Sequence, residues 1–149
     1  MLKDKKGLTW LEAIIIIAVV IGLFFLARAG INNAQVKSRD IQRLAEVKKI
    51  QNALEFYFYH RSQYPVLENA VLGSGDFKLL CDTDSGFQKN SDNCDKIFLE
   101  DISPTPSSPQ NDFYIYSGSG QSYIINFSLE KEAGGLSAGE HAASEMGIE

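Results

Sequence analysis

The sequence predicts an α+β fold in which one long N-terminal helix packs against a small C-terminal antiparallel β-sheet. Three observations predict it. No proline occurs between Leu8 and Gln63, and the first part of that stretch is almost wholly apolar. Leu44, Val47, Ile50, Leu54 and Phe58 then recur at spacings of three and four, the period of one helix face. Near the end, Phe113-Tyr114-Ile115-Tyr116 and the alternating Tyr123–Leu129 segment read as strands joined by a glycine-containing turn.

The chain opens on a short basic leader, residues 1–7, with Lys3, Lys5 and Lys6 before Gly7. From Leu8 to Ala27 it has about the twenty residues that a membrane helix needs. Glu12 is the sole formal charge in that span. A charge in a bilayer costs roughly 2.5–3.5 kcal/mol on insertion scales, so an acid held there calls for a partner cation. The lysines ahead of the span place the N-terminus in the cytoplasm and everything after Ala29 outside. A single-pass membrane protein with an extracytoplasmic C-terminal domain is the expected topology.

Gly7, Thr9 and Glu12, in register with the apolar helix behind them, resemble the N-terminal signal of type IV pilins and of the pseudopilins of type II secretion. That signal has a basic leader, a Gly, usually Phe, then Thr-Leu-Ile-Glu. Here Leu8, Trp10 and Leu11 stand at the Phe, Leu and Ile positions, all apolar replacements. The resemblance implies a prepilin, cut between Gly7 and Leu8 by a prepilin peptidase and N-methylated at Leu8. Its partners would be other copies of itself or related pilins, the peptidase, the inner-membrane assembly platform and the lipid bilayer. The function implied is a structural subunit of a type IV pilus or type II secretion pseudopilus, an extracytoplasmic filament, with adhesion, motility, DNA uptake and protein secretion all left open as its role. The Leu8 amine of an entering subunit is then expected to meet Glu12 of its predecessor and set the axial register. Two other readings stay open. One is a minor tip pilin that binds DNA, a surface or an exported protein. The other is a secreted or anchored domain released after Ala29, since Ala27-Arg28-Ala29 is an A-x-A-like site.

Residues 8–30 are thus expected to form the transmembrane or filament-core helix and 31–62 its amphipathic continuation. As one helix to Arg61 it would run roughly 80 Å at 1.5 Å per residue. Gly22 and Gly30 are its expected soft points. Asp40–Arg43 and Arg43–Glu46 have i, i+3 spacing, worth a few tenths of a kcal/mol on a helix surface. Pro65 pushes Tyr64 out of helical geometry, so the helix stops near Ser62. Residues 63–149 make the extracytoplasmic head.

Within the head, Val66–Leu80 reads as irregular, with a turn at Gly73-Ser74-Gly75. Cys81 and Cys94 lie on the outer side, where a disulfide is permitted, and they bracket a polar loop. Asp82, Asp84 and Asp92 in that loop are a calcium candidate. They lack the third ligand, glycine spacing and closing Glu of an EF-hand, and a solvated acidic loop is the plainer reading. Ser103–Pro109 holds three prolines and favours an extended crossing. A β-hairpin is expected over residues 112–130, its Tyr123–Leu129 face covering the Leu44–Phe58 stripe. Glu132–Glu149 has no periodic apolar face and is expected to be a flexible tail.

Net charge is −5, which gives no broad basic face for nucleic acid, and none is expected to bind the major subunit. The two histidines, His60 and His141, stand in no catalytic or metal motif, and the cysteines have no zinc pattern. No phosphate loop or nucleophile elbow occurs. Neither enzymatic activity nor a cofactor is expected.

Overall fold

A computed structural model describes residues 9–105 and 113–149. The fold is α+β, one long N-terminal helix packed against antiparallel sheets. Helix α1 spans Trp10–Arg61 and is continuous through Gly22 and Gly30. Two compact units divide the chain, Met1–Val36 and Lys37–Glu149. The described part of the first is the N-terminal portion of α1 with Thr9 ahead of it. The second, called the head below, takes the rest of α1 and all the strands.

Strands β1 (Leu67–Leu72), β5 (Tyr114–Gly118), β6 (Tyr123–Leu129), β7 (Gly139–Ser144) and β8 (Gly147–Ile148) form a five-stranded antiparallel sheet in the order β1-β5-β6-β7-β8. Strands β2 (Leu79–Cys81), β3 (Phe87–Gln88) and β4 (Ile97–Leu99) form a second sheet in the order β3-β2-β4.

The core follows the two sequence periods. On α1, Val47, Ile50 and Leu54 are fully buried, joined by Ala53 and Tyr57, while Leu44 and Phe58 are only partly covered. The buried stripe therefore ends on Tyr57 rather than Phe58, because Tyr57 faces the second sheet and its ring meets Phe98 at 5.7 Å. On β6, Tyr123, Ile125, Phe127 and Leu129 point inward, and Ile124 and Asn126 outward. Tyr114 and Tyr116 of β5 continue the inward layer. The hairpin pairs Gly118 with Tyr123 and Ile115 with Asn126. Gly118 has a packing reason: a Cβ there would collide with the Tyr116 hydroxyl and the Pro65 carbonyl, which hydrogen-bond to each other at 2.8 Å.

The end of α1 is where Pro65 requires it. Ser62 takes the left-handed conformation, φ 54°, that commonly terminates helices, and donates to the Phe58 carbonyl at 2.7 Å. Tyr64 then leaves the helix and donates its N–H to Gly120.

Two expectations need correction. Val66–Leu80, expected to be irregular, contains strand β1 and the start of β2, and β1 has a register irregularity between Leu67 and Ala70, where Asn69 has φ 53°. The C-terminal segment, expected to be a flexible tail, contains β7 and β8. Five residues of β7 pair with β6, from Ile125↔Ala143 to Leu129↔Gly139. The reason is that the backbone ladder of β6 supplies the pairing, so β7 needs little side chain of its own. Ala143 is small enough to be fully buried against the core. The turn at Gly73-Ser74-Gly75 is present. The expected extended crossing lies partly outside the described residues, since 106–112 are not described.

Candidate functional site

The N-terminal span is long and apolar enough to cross a membrane, and it lies near the N-terminus. Among the described residues its large side chains lie open: Trp10, Ile14, Ile17, Ile21, Phe24 and Phe25 are all exposed. An array of this size left bare in water is strongly unfavourable, so it demands lipid or protein around it. A Cβ at Gly22 or Gly30 would meet nothing within 4 Å among the described residues. The helix passes without a break through Ala27-Arg28-Ala29.

Glu12 sits in the first turn of α1. Its Oε2 accepts the Thr9 backbone N–H at 2.8 Å and the Thr9 hydroxyl at 3.0 Å. The Thr9 Oγ1 in turn accepts the Glu12 N–H at 3.4 Å. Thr9 and Glu12 are thus the N-cap and third residue of a capping box, which satisfies backbone donors that a helix start leaves open. The T-x-x-E spacing carried that signal. The expected cleavage site Gly7–Leu8, and Leu8 as the methylated residue, lie outside the described residues.

In the head, Cys81 and Cys94 form a disulfide. The loop they close is fastened to the last turns of α1. The Tyr57 hydroxyl donates to the Thr83 carbonyl at 2.7 Å, and burial pushes the Tyr57 phenol up from its ordinary pKa. Arg61 pairs with Asp82 at 3.3 Å and also with Asp84. Asp92 instead accepts from Asn90 at 2.7 Å. The three calcium candidates are therefore not brought together: two face Arg61 and the third looks elsewhere. Among the described residues no group of three His, Cys, Asp or Glu could hold a metal ion.

A second polar cluster escaped sequence reasoning. Asp40 and Arg43, expected as a surface pair, are both buried and lie 2.5 Å apart. Arg43 also reaches Glu130 at 2.9 Å, and Arg39 grips the same carboxylate through two nitrogens at 2.9 and 2.7 Å. The Arg39 hydrogen bonds hold the Glu130 carboxyl below its usual pKa, while Glu130 raises that of Arg39. Asp40 also accepts the backbone N–H groups of Glu130 and Lys131. This cluster ties α1 to the end of β6 as the strand leaves the sheet. The spacing Asp40-x-x-Arg43 was visible. Glu130, ninety residues downstream, was not a foreseeable partner.

Neither histidine joins a catalytic arrangement among the described residues. His60 Nε2 lies 2.6 Å from Lys96 Nζ, and its ring lies 5.4 Å from that of Phe98. His141 Nδ1 lies 3.0 Å from the Glu149 backbone oxygen and its Nε2 2.8 Å from the Ser137 carbonyl, and a neutral ring donates to one of the two. Tyr64, Tyr114 and Tyr116 are raised in pKa mainly by burial, and Tyr123 likewise to about 12. They are core residues, neutral at ordinary pH.

Comparison with family models, with curated proteins and with solved structures finds no match to the chain.

Proposed function

We propose that the chain is a structural subunit of a type IV pilus or type II secretion pseudopilus filament, made as a prepilin and processed after Gly7. The observation that carries this reading is the exposed apolar helix with one carboxylate, Glu12, at its N-terminal edge, directly behind the Gly7-Leu8-Thr9 sequence. Such a helix suits two environments in turn. In the bilayer its side chains face lipid, and in a filament they face the helices of other subunits. The unbroken helix through Ala29 favours an anchored subunit over a released domain, and the disulfide suits a head outside the cytoplasm in either case. The role is scaffolding, with the head outside the cytoplasm.

In the filament, the Leu8 amine left by cleavage meets Glu12 of the neighbouring subunit. In apolar surroundings little water screens the pair, so an offset that leaves Glu12 unpaired is penalised. Each subunit thereby takes a defined axial position.

Intact mass of the protein recovered from cells tests the reading. The expected species begins at methylated Leu8, and Gly7→Val abolishes it. A terminus at Gly30 would replace the filament subunit with a secreted domain.

A further inference from the structure

Two residues of different chemistry bound the apolar part of α1. Trp10 is the first residue of the helix and is 83% exposed. Arg28 is the first basic residue of the helix, and its guanidinium lies over the Phe24 ring at 5.4 Å. From Leu11 to Ala27, between them, Glu12 is the sole charged side chain. Trp10 and Arg28 are eighteen positions apart, roughly 27 Å along the axis at 1.5 Å per residue. The hydrocarbon core of a bilayer is about 30 Å thick. A helix crossing it close to upright therefore has Trp10 at one boundary and Arg28 at the other.

The side chains suit those boundaries. An indole is a large apolar ring with one N–H donor, most favourable where one side is apolar and the other wet. An arginine charge resists being drawn further into hydrocarbon, so Arg28 limits the span on the other side. Eighteen residues make about five whole turns, which puts Trp10 and Arg28 on one face. Glu12, two positions from Trp10, lies about 200° around the axis from it. The indole can thus face lipid while the carboxylate faces the opposite way, toward another subunit.

We infer that Trp10 is an interfacial anchor: its indole sits at the headgroup boundary of the cytoplasmic leaflet and fixes the depth at which the helix lies. The partner is the phospholipid bilayer at that boundary. The consequence is positional. With Trp10 held there, the Gly7–Leu8 bond, which precedes it in the sequence, stays on the cytoplasmic side. Glu12 lies about 3 Å further in, at the edge of the hydrocarbon rather than deep within it. The inference rests on the membrane-spanning part of the filament reading and does not require the filament itself.

Trp10 is the sole tryptophan of the chain, so its fluorescence reports its own depth. The full-length chain is reconstituted at high dilution in vesicles of phosphatidylcholine and phosphatidylglycerol. The phosphatidylcholine carries bromine either close to the headgroup or close to the chain end. The expected result is stronger quenching by the shallow bromine. Stronger quenching by the deep bromine would overturn the anchor, as would quenching by neither, which puts the indole in water or against protein. A second reporter tests whether Trp10 sets the depth. Ile16→Trp places an indole about 9 Å further along the axis. Combined with Trp10→Tyr, which keeps an amphipathic ring, this reporter should hold one depth. Combined with Trp10→Leu, its quenching should shift toward the deep bromine. Identical quenching in the two would show that Trp10 does not set the depth and would overturn the inference. Sheared filament is collected from cells making the wild-type chain. Filament together with a deeply quenched Trp10 removes the anchor and leaves the filament reading. A shallow Trp10 in a chain that yields no filament does the reverse.

Discussion

Asp40 on helix α1 accepts the backbone N–H of Glu130 at 3.0 Å, ninety residues away in the chain. With the Lys131 N–H at 2.8 Å and Arg43 at 2.5 Å, three donors converge on one fully buried carboxylate. Together they tie the middle of α1 to the chain as it leaves β6.

Removing that carboxylate leaves Arg43 buried beside two freed backbone donors. Asp40→Ala should therefore cost about 3–5 kcal/mol, the range for breaking a buried pair by deleting one partner. Asp40→Asn keeps one acceptor and should cost less. Denaturant unfolding of a soluble fragment, residues 31–149, reads both. Loss below about 1 kcal/mol in Asp40→Ala would place the site in solvent, as for an ordinary surface pair.

Glu130 gives the head an acid-sensitive component. Its folded-state pKa is depressed, first by the Arg39 hydrogen bonds and then by Arg43. A depressed carboxyl contributes stability that is present above its unfolded pKa and is lost as pH falls through the folded one. Stability should hold at neutral pH and begin to fall below about pH 5, near the unfolded carboxyl range. Glu130→Gln should be less stable at pH 7 and flatter with pH below it. A slope unchanged by that substitution would assign the acid sensitivity to other carboxyls.

The sequence disclosed the parts of this fold whose side chains declare themselves. Val47, Ile50 and Leu54 were legible because a helix repeats every 3.6 residues. Tyr123, Ile125, Phe127 and Leu129 were legible because a half-buried strand alternates. Strand β7 was not: Ala142 and Ala143 carry almost no hydrophobic signal, and its position is set by the ladder of β6. Arg43 was legible as a partner of Asp40, but not as buried, since burial depends on Glu130 arriving from the end of β6. At the N-terminus the Thr9–Glu12 spacing encoded a cap as well as a lone acid.

The core stripe should show graded sensitivity. Leu54 is fully buried between the helix and the sheets, so Leu54→Ala should cost about 2–5 kcal/mol. Leu44 is only partly covered, and Leu44→Ala should cost distinctly less. Melting temperatures of the two variants, measured side by side, check the order. Equal losses would mean that Leu44 is as enclosed as Leu54.

The disulfide should act mainly on the end of α1. Cys81 and Cys94 are thirteen positions apart, and closing a loop of that size stabilises by about 3 kcal/mol in the chain-entropy model. Reduction frees the loop that Tyr57 and Arg61 hold. The expected result is faster amide exchange over the last turns of α1 than over Val47–Leu54. Uniform acceleration across the helix would indicate global loosening instead.

Under the proposed filament function Glu12 would have two separable tasks, and substitutions can divide them. As the third residue of a capping box it bonds the Thr9 N–H, which a glutamine carbonyl also accepts. As the register-setting acid of a filament it must carry charge, which glutamine lacks. Glu12→Gln should therefore leave the start of α1 and the amount of membrane-inserted, processed protein near wild type, and still lose assembled filaments. Thr9→Ala keeps the acid but removes the N-cap hydroxyl, at about 1 kcal/mol, and should fray the first turn while retaining some assembly. Sheared filament, normalised to the processed membrane pool, measures one task. Amide exchange at the first turn of α1 in detergent measures the other. If Glu12→Gln assembles normally, the carboxylate serves the cap alone, and the register must come from other contacts between subunits.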